Sequence, residues 1–200
     1  FEKEFAKYFE ANYAIALANG TLALNAAYKA IKIKNNDEII TTPRTFIATS
    51  SSALLLGAKI VFADVDENSG NIDPNSIEKL INEKTKCITV VHLGGFPCDM
   101  EKISEIAKKY QLKVIEDCSQ AHGASIKGKS VGNFSDIATW SFCQDKIIST
   151  GGEGGMITTN KEEYWDEIWS LKDHGKTNFS VFKKNHPKGY AYKFLHDKLG

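Results

Sequence analysis

The 200-residue sequence offers no stretch that could cross a bilayer, since apolar runs such as Ala53 to Leu56 fall far short of the about 20 residues such a helix needs. Its first residues, Phe1-Glu2-Lys3-Glu4, lack the features of a signal peptide. An initiator Met is missing too, so the chain is expected to begin inside a longer protein. Charge of one sign is not in excess: 25 Lys plus Arg face 25 Asp plus Glu, which removes the usual case for a nucleic-acid or membrane partner. Cysteine is scarce, and Cys87, Cys98, Cys118 and Cys143 show no zinc-ligand spacing. A chain of this size and core content needs no disulfides, so free thiols in a reducing cytosol and no metal site are expected. Neither a Walker A sequence nor G-x-G-x-x-G after an early strand occurs, which argues against P-loop and dinucleotide chemistry. Internal repeats and low-complexity tracts are also absent.

What is present is an ordinary globular composition, 42% hydrophobic and 25% charged, consistent with about one or two domains. Phe1, Phe5, Tyr8 and Phe9 recur at helical spacing. Ala14 to Leu17 reads as a short strand, and a helix follows from about Thr21 to Ile33. Strands are expected at Glu38–Thr42, stopped by Pro43, at Lys59–Val65 and at Cys87–His92. Further strands are expected at Lys113–Glu116, Ala138–Phe142 and Met156–Thr159. Helices are expected over Phe46–Gly57, Pro74–Asn82 with Asp73 as N-cap, Met100–Tyr110 and Lys161–Lys172. Strands separated by helices imply an α/β fold with a mostly parallel sheet flanked by helices. Cys87–His92 is a continuous apolar run, as a strand covered on both faces should be.

Ligands in such sheets bind beyond the carboxyl ends of the strands, and that rule selects Thr21, Asp117 and Lys146. In Asn19-Gly20-Thr21, between strand and helix, free N–H groups and a hydroxyl suit a phosphate, although Thr21 could simply cap the helix. Asp117 ends a buried strand, where a carboxylate can pair with a protonated ring nitrogen or act only as a cap. Lys146 leaves a strand just before Thr150-Gly151-Gly152-Glu153-Gly154-Gly155; a lysine there can form an imine with an aldehyde and then carry a proton. His122 could face a pocket or be a core histidine. His92-Leu93-Gly94-Gly95 could line one. Cys118 and Cys143 are read as packing residues, Trp140 as core, and Trp165 and Trp169 as a packing stripe.

Four segments occur in order: Asn19-Gly20-Thr21-Leu22-Ala23-Leu24, Thr45-Phe46-Ile47-Ala48-Thr49, Ile115 to Ala124, and Ser141 to Gly155. With Val61-Phe62-Ala63-Asp64-Val65-Asp66 and Ile72-Asp73-Pro74, this set resembles the sugar aminotransferases of the DegT/DnrJ/EryC1/StrS family, over residues 1 to about 175. The resemblance implies the large domain of a fold-type-I enzyme that uses pyridoxal 5'-phosphate. It implies that Lys146 holds the cofactor as a Schiff base and that Asp117 pairs with the pyridinium nitrogen. Gln120 then lies near the phenolic oxygen, Gly20, Thr21 and Ser141 cradle the phosphate, and Phe46 stacks on the ring. The reaction implied moves an amino group, with glutamate as expected donor, to a keto group of a nucleotide-linked sugar in polysaccharide or natural-product biosynthesis. A cytoplasmic homodimer with a shared active site is implied as well. Residues 1–176 would form the cofactor-binding domain, and 177–200 would begin the connection to a C-terminal small domain carrying substrate-recognition groups. Cys143-Gln144-Asp145 departs from the His or aromatic pair followed by Thr or Asn found in many members. Two alternatives stay open: a dehydratase of the same fold, whose members carry His in place of the lysine, and a non-catalytic regulator that binds the cofactor.

Overall fold

The structure is a computed structural model that describes residues 1–176 and His196. A seven-stranded sheet forms its centre. In spatial order the strands are β1 (Tyr13–Leu17), β9 (Gly155–Thr159), β8 (Ile137–Ser141), β5 (Lys113–Asp117), β4 (Thr85–Val91), β2 (Glu38–Thr41) and β3 (Lys59–Phe62). From β8 to β3 all neighbours are parallel, while β9 lies antiparallel between β1 and β8. The sheet is thus mostly parallel, as the alternation of elements predicts.

Successive residues on a strand point to opposite faces, and both faces here are apolar. Ile15, Ile39, Cys87, Ile115, Ile137 and Ile157 join one core with α2 (Gly20–Ala30), α3 (Ala48–Leu54) and α6 (Glu162–Lys172). Their sequence neighbours point the other way. Ile40, Ile88 and Val114 pack under α4 (Pro74–Leu80) and α5 (Met100–Lys109). Ala14, Ala138 and Met156 pack under α1 (Glu2–Tyr8). There Phe9 lies 4.3 Å from Trp140 between ring centroids, and Phe5 meets Trp140 and Phe142 edge-on at 5.3 and 5.4 Å. Aromatic pairs of this kind add about 0.5–1.5 kcal/mol each beyond burial. Trp140 is therefore core, as expected, and Trp165 and Trp169 pack half-buried on the first core.

Local chemistry explains the element ends. Asp73 caps α4 through the Asn75 N–H at 2.9 Å, with Pro74 in the first turn, as the sequence predicts. Asn19, not Thr21, caps α2: its Oδ1 accepts from Leu22 N at 2.8 Å, and the helix begins one residue earlier than expected. The regular part of α3 starts at Ala48, so Phe46 precedes the helix rather than opening it. Strand β3 stops at Phe62, short of Val65, because the chain then enters the turn in which Asp66 N donates to Asn71 O. One hairpin, β6 (Ser125–Ile126) and β7 (Lys129–Ser130), has no counterpart in the sequence expectations. Lys127 and Gly128 join its strands with φ of 51° and 84°, the two-residue turn that suits the twist of a hairpin. Among the described residues no helix is long and apolar enough to cross a membrane, and the four cysteines are free. The expected connection over residues 177–200 lies outside the described residues, His196 apart.

Candidate active site

The carboxyl ends of β1, β5 and β8 lie on one edge of the sheet and open into a cavity of about 430 Å³. Gly20, Thr21, Phe46, Asp117, Gln120, Ser141 and Lys146 all line it, so every site residue expected from the sequence comes together here. They are contributed by segments more than 120 residues apart in the chain.

On one wall is the N-terminus of α2. Asn19 occupies the Leu22 N–H with its side chain and the Ala23 N–H with its carbonyl. The N–H groups of Gly20 and Thr21, at the first two helical positions, remain for a ligand and carry the positive end of the helix dipole. The wall is held tight by glycine. A Cβ on Gly20 would lie 2.8 Å from Ser141 Cβ, so the absence of a side chain brings the Ser141 hydroxyl to the helix end. A Cβ on Gly155 would overlap the Asn19 carbonyl.

Asp117, 5% exposed, stands at the floor. Its Oδ2 accepts from Thr49 Oγ1 at 2.8 Å and its Oδ1 from Ser119 N at 3.1 Å. Gln120 is oriented by Gly94, whose N–H donates to Gln120 Oε1 at 2.8 Å. That contact identifies the amide oxygen and leaves the Nε2 donors for another partner. Phe46 is exposed at the rim.

Lys146 rides on the loop between β8 and β9. The loop is pinned at its base, where Phe142 N donates to Gly154 O at 2.8 Å and Thr150 N to Phe142 O at 3.0 Å. Thr150 Oγ1 adds a bond to Glu153 O at 2.9 Å. The Lys146 side chain is 19% exposed, with Nζ 3.8 Å from Asp145 Oδ1. Asp145 also accepts from Cys143 Sγ at 2.8 Å. The thiol bond and the Lys146 charge hold the Asp145 carboxyl below its ordinary range. Cys143 is thus a half-buried cavity residue rather than the packing residue expected, whereas Cys118 is fully buried.

Two histidines differ. His92 does not reach the cavity. It is fully buried, its Nδ1 accepting from Cys98 N at 3.1 Å and its Nε2 lying 3.1 Å from Glu116 Oε1. Because Nδ1 accepts, the proton sits on Nε2 and is donated to the carboxylate. Glu116 also accepts from Gly132 N at 2.8 Å and Phe134 N at 3.0 Å. Burial pushes the Glu116 carboxyl up, but the bonds from His92 and Gly132 outweigh it and hold it low. His92 and Glu116 thereby knit the core, although with Cys118 they group three potential metal-binding atoms within 4.8 Å. His122 is 8% exposed against Trp140 and Phe142, and neither ring nitrogen has a hydrogen-bond partner. Burial first, and the Lys146 charge second, push its pKa down to about 4, with the nearby Ser141 backbone pulling the other way.

The cavity also holds residues that the sequence reading did not single out for a site role, among them Thr45, Ser119 and Glu153, and behind it stands Thr49. Thr45 lies in the bend before α3 and meets Thr49 from outside the helix, so helical spacing does not announce the pair.

The chain resembles known proteins over most of its length. The model of the DegT/DnrJ/EryC1/StrS aminotransferase family matches residues 1–196. The structure of an aminotransferase from Psychrobacter cryohalolentis superposes with a TM-score of 0.95 at 54% identity, over 100% of this chain and 50% of that one. A GDP-perosamine synthase of Escherichia coli O157:H7 is 44% identical over 175 residues, 88% of this chain and 48% of the relative. A dTDP-3-amino-3,6-dideoxy-alpha-D-galactopyranose transaminase of Aneurinibacillus thermoaerophilus is 47% identical over 175 residues, again 88% of this chain and 48% of the relative. The chain spans about half the length of these relatives. With the family model matched almost end to end and the whole chain superposing on an aminotransferase, the chain belongs to the DegT/DnrJ/EryC1/StrS aminotransferase family.

Proposed function

We propose that this chain is the cofactor-holding part of a pyridoxal-phosphate-dependent aminotransferase. The proposed reaction moves an amino group from an amino acid, glutamate as expected donor, to the keto group of a nucleotide-linked sugar. The observation that carries the reading is the convergence of a lysine, a buried carboxylate, an oriented amide and a helix N-terminus on one cavity. That donor set fits the cofactor part by part. When bound, pyridoxal phosphate supplies an aldehyde that takes up amines and a ring that accepts an electron pair.

Each residue then has a defined task. The Gly20 and Thr21 N–H groups and the Ser141 hydroxyl bind the phosphate. Gln120, its oxygen tied to Gly94, offers N–H to the phenolic oxygen. Phe46 covers one face of the ring from the rim. Asp117 Oδ atoms hold a proton on the ring nitrogen. Lys146 Nζ would hold the aldehyde carbon, and as a free amine it would take and return a proton at the donor's α-carbon. Asp145, 3.8 Å from Nζ, counters the lysine's charge.

Exposed Phe46, Ile47, Leu54 and Leu55 at and beyond the start of α3 give a second copy an apolar surface, which supports a homodimer with a shared site. The free thiols fit a cytosolic location. The lysine at position 146 favours transfer over the dehydratase alternative, in which histidine stands there. The test is to incubate the full-length protein with pyridoxal phosphate, glutamate and a panel of nucleotide keto-sugars, and to identify aminated products by mass spectrometry and NMR. Lys146→Ala should abolish both the visible absorbance of the bound cofactor and product formation. Normal turnover by that variant would overturn the assignment.

A further inference from the structure

Asp117 is served by a directed line of hydroxyls. Thr49 Oγ1 donates to Asp117 Oδ2 at 2.8 Å, and Thr45 Oγ1 lies 2.9 Å from Thr49 Oγ1. A hydroxyl has one proton, and Thr49 commits its own to the carboxylate. Thr45 must therefore be the donor in the second contact, and the line runs Thr45 to Thr49 to Asp117. Each donor polarises the next. Thr49 is fully buried, and its place is fixed from the opposite side as well, since the buried Tyr28 hydroxyl donates to Thr49 O at 2.8 Å. Thr45 lines the cavity itself.

We infer that Thr49 is a positioning residue that keeps the shared proton on the ring nitrogen of the cofactor rather than on Asp117, with Thr45 fixing the direction of its hydroxyl. The inference rests on the pyridoxal-phosphate reading above. In the pair formed by the carboxylate and the ring nitrogen one proton has two sites, N–H facing O⁻ or N facing H–O. Hydrogen bonds donated to a carboxylate favour its charged form. The Thr49 hydroxyl and the Ser119 N–H both donate to Asp117, so both place the proton on nitrogen, where it makes the ring accept electrons. No atom is gained or lost; only the proton's position is set.

The experiment uses the full-length protein loaded with pyridoxal phosphate labelled with ¹⁵N in the ring. The ring nitrogen's chemical shift is read in wild type, Thr49→Val, Thr49→Ser and Thr45→Val. Wild type should show a protonated nitrogen. Thr49→Val, which keeps the shape and loses the donor, should move the shift towards the neutral ring and bind the cofactor about 10- to 100-fold more weakly. Thr49→Ser should restore both. Thr45→Val, a change at a cavity-lining residue, should give an intermediate shift and provides the reading if Thr49→Val does not fold. A wild-type shift in a folded Thr49→Val or in Thr45→Val overturns the inference alone; wild type that binds no pyridoxal phosphate overturns the cofactor reading and this inference with it.

Discussion

Replacing Gly155 by alanine should damage both the fold and the cavity. Gly155 opens β9 and pairs with Leu17 on one side and Ser141 on the other, so its backbone is held from two directions. A Cβ there would overlap the Asn19 carbonyl and lie 3.0 Å from Gly20 N. These are backbone atoms at the start of α2 and cannot swing aside as a side-chain tip would. Overpacking in cores usually costs about 1–3 kcal/mol, and contact with backbone on a doubly paired strand places this site at the upper end, about 3 kcal/mol. The assay is urea unfolding of the full-length protein, comparing midpoints and slopes. Gly152→Ala is the control, because a Cβ there meets nothing within 4 Å and its φ lies outside the left-handed region. It should change stability by less than about 0.5 kcal/mol. Because α2 must shift to admit the new methyl group, Gly155→Ala should also weaken binding of pyridoxal phosphate by more than about tenfold. Equal midpoints for the two variants would refute the reasoning.

Further outcomes follow from the two histidines. His122 has a pKa of about 4 in the fold against 6.5 unfolded, so below pH 6.5 the unfolded chain binds a proton that the native protein refuses. Stability should fall as pH drops from 6.5 towards 4, by at most about 3 kcal/mol from this group. His122→Phe, which suits the aromatic surroundings, should flatten that part of the pH profile in chemical denaturation; an unchanged profile would count against it. Glu116→Gln replaces a carboxylate serving His92 and two backbone N–H groups with an amide whose NH₂ faces donors. It should cost about 3 kcal/mol in the same assay.

The alternation of apolar segments made the parallel sheet legible, because Ile39 and Ile40, or Val114 and Ile115, can only be buried together between two helix layers. The strand-end rule reached Thr21, Asp117 and Lys146 by position, and the resemblance supplied Gly20, Phe46, Gln120 and Ser141. Thr49 was not reached, since its partner Asp117 lies 68 residues away and nothing local announces a hydroxyl aimed at a carboxylate. Cys143 was misjudged. It is read as a packing residue although it stands only three residues from Lys146, and the pinned loop turns it to the cavity beside Asp145. The place of β9 between β1 and β8 depends on pairing of distant strands, which periodicity within each strand does not encode.

The route of the chain through Lys146 has a consequence for how such a site can change over time. Residues 142 and 154 are bonded to each other, and β8 and β9 are adjacent antiparallel strands. The segment between them is therefore a cassette whose two ends meet. Apart from Lys146 and the Thr150 pin, its residues can be exchanged with little effect on either strand or on the walls built by α2 and β5. Loop closure costs little extra per added residue, so insertions there are cheap in stability. Diversity close to Lys146 can accumulate in this segment while the rest of the pocket stays in place, and chimaeras that swap residues 143–153 between relatives, keeping Lys146, are a direct way to separate the role proposed for the lysine from that proposed for the surrounding walls.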